Sequence, residues 1–225
     1  MLELGSHVFR VGVAAVVLTG VCLGARADDL YLESVKPAAT NKPVLRYGFL
    51  RADVDRIAKT VPGVLRVIPF RSMPVIFRHQ GSQLAGRLVG TNAGELQYDG
   101  HALTHGRYLT ENDLKQRHSV AVIGHDVAAR LFAKVDPIGK TLRAGDQLFL
   151  VVGVARWGTQ RGANVVHVPI STMRVRFGDT VVVRQAGTFS MEQYELNAVR
   201  VVPQPGVDLS DQREAIFKML RISRE

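Results

Sequence analysis

His101 and His105 have the i, i+4 spacing with which two imidazoles on a helix can hold a zinc ion, and His118 and His125 follow them in the chain. Gly100 and Gly106 flank the pair, however, and YDGHALTHGRYL has the composition of loop and turn. The helix that would aim both rings at one ion is therefore not expected, and no glutamate follows His101 as a general base. Gly139-Lys140-Thr141 ends like a phosphate-cradling loop, but the glycine such a loop needs five positions earlier is replaced by Lys134. Lys140 also leads into TLRAGDQLFLVVGV, two strand-like runs about Ala144-Gly145-Asp146, where a phosphate loop would enter a helix. Ser82 in QGSQLAG and Ser119 in RHSVAV lack the glycine-flanked elbow of a serine nucleophile. Glu111 and Asp113 read as acids in the first turn of a helix, facing its dipole. These residues lead us to expect no catalytic, cofactor-binding or metal site and no cofactor.

The elements around them follow from periodicity. LRADVDRIAKTVPG places Leu50, Val54, Ile57, Ala58 and Val61 on one helical face, and Pro62-Gly63 ends it. VLRVIPF, PVIFRHQ and QLAGRLVG are strand-like, the last two joined by a turn at Gln80-Gly81-Ser82. TENDLKQ is a short helix capped by Thr110, SVAVIG a buried strand, and HDVAARLFA a helix with Val127, Leu131 and Phe132 inward. TLRAGDQLFLVVGVA is a hairpin. VVHVP, TVVVRQ and YELNAVRVVP are further strands, ISTMRVRFG a short helix or turn, and SDQREAIFKMLR a closing helix with Ile216, Met219 and Leu220 on one face. Hairpins with interspersed helices indicate an α+β fold.

The net charge of +9 raises the possibility of nucleic-acid binding, but Arg46, Arg51, Arg56, Lys59, Arg66, Arg71 and Arg78 are scattered over helix-like and strand-like segments. No nucleic-acid partner is expected. The single cysteine, Cys22, lies in the apolar run VGVAAVVLTGVCLGA, residues 11–25, which ends in the small-x-small pattern Ala25-Arg26-Ala27. The run is short of the ~20 residues of a spanning helix and matches an export signal cleaved before Asp28. The competing reading is an uncleaved N-terminal hydrophobic helix that anchors the chain. Residues 1–29 are thus signal or anchor, and residues 30–48, with Pro37 and Pro43, read as linker.

The order HGRYLTENDL, SVAVIGHDVAARLF, DPIGKTL, FLVVGV and HVPISTMRVRFG resembles the periplasmic core domain of MacB-type ABC transporter permeases, a group that includes FtsX- and LolC-type proteins. The matching places are Gly106, Arg107, Asp113, Gly124, Phe132, Asp136, Pro137, Gly139, Lys140, Gly153, Val154 and Pro169, and the likeness covers about residues 45–222. DVDRIAKTVPGVLRVIP and AIFKMLR resemble the family's first periplasmic helix and strand and its closing helix. In this light Gly139-Lys140-Thr141 is a structural corner: Pro137 ends the preceding helix and Gly139 permits the turn.

The resemblance implies a core domain over residues 49–225, porter-like, with a smaller inserted α+β subdomain at 93–157. It implies a non-catalytic extracytoplasmic domain of an ABC system, acting through partner or substrate contact and mechanical coupling during transport. The chain ends in RISRE, where the family's permeases enter a second transmembrane helix. The expected partners are therefore separately encoded permease and ATPase subunits and a membrane-fusion protein. The expected location is the inner membrane with residues 30–225 periplasmic, or the soluble periplasm if the signal is cleaved. The alternative reading is an exported α+β hydrolase or metal-dependent enzyme.

Overall fold

The computed structural model describes residues 8–11, 14–17, 29–36, 44–98, 100–133, 135–157, 164–185 and 188–222. The described residues up to Phe70 and those from Asp179 onward form one compact unit, and Arg71–Gly178 form another. In chain order the elements begin with β1 (Val8–Val11), β2 (Ala14–Val17), β3 (Leu30–Val35), β4 (Val44–Arg46), α1 (Arg51–Thr60), β5 (Val64–His79) and β6 (Ser82–Thr91). A 3-10 turn, Ala93–Gln97, precedes β7 (Ala102–Gly106), α2 (Glu111–Lys115), β8 (Val120–Gly124), α3 (His125–Leu131), β9 (Thr141–Ala144) and β10 (Gln147–Arg156). The last elements are β11 (Val165–Pro169), α4 (Ile170–Phe177), β12 (Thr180–Gln185), β13 (Thr188–Gln193), β14 (Ala198–Pro203) and α5 (Leu209–Ile222).

In the first unit, β1, β2, β3, β14 and the part of β5 up to Phe70 pair in that order, all antiparallel. A second sheet runs β12-β13-β4, its last pair parallel. α1 and α5 pack together and bury Ile57, Ile216 and Leu220. The amide of Leu50 donates to Asp53 Oδ2 at 2.8 Å, which satisfies one backbone group at the start of α1. Two expectations change here. Val8–Val11 and Ala14–Val17 are strands, not helix: β2 pairs with the edge of β3, so their backbone bonds run between strands. The rest of the apolar run, and the cleavage pattern at Ala25-Arg26-Ala27, lie outside the described residues. The segment read as linker holds β3 and β4, because LYLESV alternates and finds β14 as partner.

In the second unit, the remainder of β5 is followed by β6, β11, β8, β10 and β7, with β9 joining β10 to β5. β11 runs parallel to β6, and β8 parallel to β10. Successive side chains of β8 alternate between two cores, as the period of a strand requires. Ala121 and Ile123 face the larger core with Phe77, Leu88, Phe149, Val127 and Leu131. Val120 and Val122 face a smaller one with Tyr108, Leu109 and Ala155. Burial on both sides explains why VAVIG is wholly apolar. The unit extends beyond the block 93–157 in both directions. The runs VLRVIPF and PVIFRHQ, separate by sequence, are one strand whose partner changes from β14 to β6 after Phe70.

The corner at 139 answers the question of its Gly-Lys-Thr. Gly139 has φ 76°, a left-handed conformation that a β-carbon disfavours, and its amide donates to Val151 O at 2.8 Å. The amide of Val151 returns a bond to Lys140 O at 2.9 Å, so the backbone donors here hold β10 and are not free to cradle phosphate.

Candidate functional site

HGRYLTENDL, with which the resemblance begins, folds around a glycine. Gly106 sits opposite Gly153 at the end of β7 with φ 71°, and a β-carbon there would meet the carbonyl oxygen of Val152 at 2.3 Å. The chain turns away from the sheet at this point, held by a 2.9 Å bond from the amide of Arg107 to Val152 O. Arg107 and Tyr108 then take part in two different polar clusters.

Arg107 closes a clasp on α2. Asp113, 1 % exposed, accepts from Arg107 Nη1 and Nη2 at 2.5 and 3.1 Å. It also accepts from the amide and hydroxyl of Thr110 at 2.9 and 2.8 Å, and from His118 Nδ1 at 3.1 Å. Thr110 Oγ1 accepts from the amide of Asp113 at 3.2 Å, completing a reciprocal helix cap. Burial raises the carboxyl pKa, but the bonds from Arg107, Thr110 and His118 outweigh it and hold the group well below the usual range. α4 ties onto the same element: Ser171 Oγ donates to Leu114 O at 2.6 Å and Thr172 Oγ1 to His118 O at 2.9 Å.

Tyr108 enters the smaller core. Its hydroxyl donates to His167 Nδ1 at 2.8 Å, and Trp157 stacks on the His167 ring at 4.0 Å between centroids. His101 packs edge-on against Trp157 at 5.2 Å and against His167 at 6.3 Å, and its Nε2 lies 3.5 Å from Oε1 of buried Glu95. Burial, and then the neighbouring His101, push the His167 pKa down to about 3, so the ring is neutral at ordinary pH. Burial, with Glu95 adding to it, raises the Tyr108 pKa well above its usual value. His167 is thus a neutral ring stacked on Trp157, whose Nε1 donates to Val165 O at 3.2 Å. A general base has to reach the proton it removes, whereas this imidazole is enclosed by the protein.

The histidines singled out by spacing therefore separate. His101 lies in the ring cluster, His105 is exposed on β7 opposite Val154, His118 belongs to the clasp, and His125 opens α3 in solvent. YDGHALTHGRYL is partly strand, because Ala102–Gly106 pairs with β10. Among the described residues no three His, Cys, Asp or Glu side chains gather as a metal site. Asp113 does more than face a helix dipole: it is the acceptor on which the clasp converges. Sequence reasoning missed Glu95, Trp157 and His167. The polar residue in the otherwise apolar VVHVP was the available signal.

A family model, the MacB-like periplasmic core domain, matches residues 11–216. Among curated proteins, the pyoverdine export ATP-binding/permease protein PvdT of Pseudomonas aeruginosa is 27 % identical over 68 % of this chain and 23 % of its own length. A macrolide export ATP-binding/permease protein MacB of Neisseria gonorrhoeae is 28 % identical over 65 % of this chain and 24 % of its own. The chain thus spans about a quarter of the length of these relatives. The crystal structure of the periplasmic region of MacB from Actinobacillus actinomycetemcomitans superposes with a TM-score of 0.62 at 21 % identity, covering 76 % of this chain and 72 % of that one. The extracellular domain of the noncanonic ABC-type transporter YknZ from Gram-positive bacteria gives 0.57 at 24 % identity, covering 75 % and 78 %. Both likenesses concern the fold.

Proposed function

This chain belongs to the MacB-like periplasmic core domain family, and we propose that it works outside the cytoplasm as the non-catalytic domain of an ABC export system. The family match over residues 11–216 is the observation that carries this reading. The use of the shared motif residues supports it. Gly106, Arg107 and Asp113 build a clasp, and Gly139 and Lys140 a corner, so their chemistry goes into rigidity. A stiff domain suits a part that transmits displacement between partners, because packed elements shift as units.

In this proposal the apolar run at residues 11–25 serves as an export signal, and cleavage after Ala27 leaves the chain in the periplasm. The two compact units correspond to the porter-like and inserted parts of the core domain. Its partners in this proposal are ABC permease and ATPase subunits and a membrane-fusion protein.

Two measurements test the reading. A reporter active only in the cytoplasm, fused after Glu225, is expected to stay silent, and an active fusion overturns the location. Co-expression with an ATP-binding/permease protein of the MacB kind is expected to change that protein's ATP turnover in membrane vesicles. Turnover that is the same with and without the chain removes the coupling role.

A further inference from the structure

The second unit carries a cavity of about 330 Å³ lined by Arg117, Gln147, Thr172, Val175 and Arg176, beside the clasp and distinct from the ring cluster. Arg117 follows the last turn of α2 with φ 53°, a left-handed conformation that is uncommon for a long side chain. Such a residue persists where its surroundings hold it. Here the next residue, His118, is fixed through its ring to Asp113 and through its carbonyl to Thr172. Arg176 Nη1 donates to Gln147 Oε1 at 3.4 Å and Nη2 to Ser119 Oγ at 3.1 Å. Those acceptors are neutral, and among the described residues no carboxylate forms an ion pair with Arg117 or Arg176.

We infer that this cavity is a binding site for an oxyanion, a carboxylate or phosphate group of a small organic molecule, held between Arg117 and Arg176. Both guanidiniums keep their charge at all relevant pH and present forks of N–H donors matched to a two-oxygen group. Two like charges bordering one cavity repel, and an oxyanion between them converts that repulsion into charge-assisted hydrogen bonds. The exposed Val175 gives the cavity an apolar edge for the carbon part of the molecule. The volume lies within the usual range for small-molecule sites, ~300–1,000 Å³.

The experiment titrates the full chain with inorganic phosphate and, separately, with benzoate, following the backbone amides of Arg117, Gln147 and Arg176 by NMR. Saturable shifts at these amides are expected with at least one probe, and the probe that saturates identifies the oxyanion. Arg117→Asn, which keeps a residue tolerant of the left-handed backbone, and Arg176→Gln should each weaken binding about tenfold, the loss of one charge-assisted contact. Val175→Glu, at an exposed position, places a competing carboxylate at the cavity and should abolish saturation while the folded spectrum is retained. Absence of saturation with both probes, or affinity unchanged in both arginine variants, overturns the site.

Discussion

Arg107 and Tyr108 are adjacent in the chain and serve polar clusters of opposite character. Arg107 delivers charge to a carboxylate that is out of water yet surrounded by donors, so ionisation is the stable state of Asp113. Tyr108 delivers a hydroxyl to an imidazole enclosed by rings, where ionisation is the costly state. Burial acts on both groups, and the number of partners decides the outcome. The clasp gathers several hydrogen bonds on one carboxylate; the His167 ring takes one from Tyr108 and is otherwise packed against rings. A buried polar group is thus tolerated here in two ways, by saturating it or by keeping it neutral.

The clasp is the place to break the comparison with the largest effect. Asp113→Ala removes the acceptor of Arg107, Thr110 and His118 together with the helix cap, and is expected to lower stability by about 3 kcal/mol in chemical denaturation. Tyr108→Phe removes one hydrogen bond and keeps the ring, for about 1 kcal/mol. Equal costs would show that the density of bonds around Asp113 does not matter, and the distinction between the clusters would fall.

Acid separates them by pH window as well as by size. The folded His167 pKa of about 3 lies below the ~6.5 of an unfolded histidine, so between these values the unfolded chain binds a proton that the folded chain does not. Stability from this group is complete above pH ~6.5 and falls on acidification through that window, by about 2 kcal/mol between pH 7 and pH 5. Asp113, with its pKa lowered, contributes stability above the ~3.9 of an unfolded aspartate and loses it only as pH falls further. Unfolding at pH 7 and pH 5 should therefore show an acid-sensitive share that disappears in His167→Gln and persists in Asp113→Ala. Identical pH dependence of wild type and His167→Gln would mean that the ring is not held neutral.

The clasp was partly legible in the sequence and the ring cluster was not. Thr110 and Asp113 stand at the spacing of a helix cap, a local relation that one turn of backbone fixes. The corner at Gly139 is local too, since Pro137 and the turn residues lie within a few positions of each other. The ring cluster instead assembles Glu95, His101, Tyr108, Trp157 and His167 from the 3-10 turn, the β7 segment and strands distant in sequence. Its members meet because β11 and β10 both flank β8, a fact of topology that no local spacing records. The same lack of long-range information made VLRVIPF and PVIFRHQ look like two strands, and hid β3 in a stretch that its prolines marked as linker.

The smallest expected effect sharpens the contrast inside the clasp itself. The Arg107 side chain is 47 % exposed, whereas Asp113 is buried, so the two ends of one ion pair differ in what their loss leaves behind. Arg107→Lys keeps the charge but replaces a two-pronged fork by a single ammonium, which can face one carboxylate oxygen well and not both. Thr110 and His118 still donate to Asp113, so the carboxylate stays satisfied, and water solvates the displaced cation. The cost should stay below about 1 kcal/mol, and the difference from wild type should shrink further in 1 M salt, where exposed charges are screened within ~3 Å. A loss as large as that of Asp113→Ala, unaffected by salt, would place the weight of the clasp on the guanidinium and not on the carboxylate.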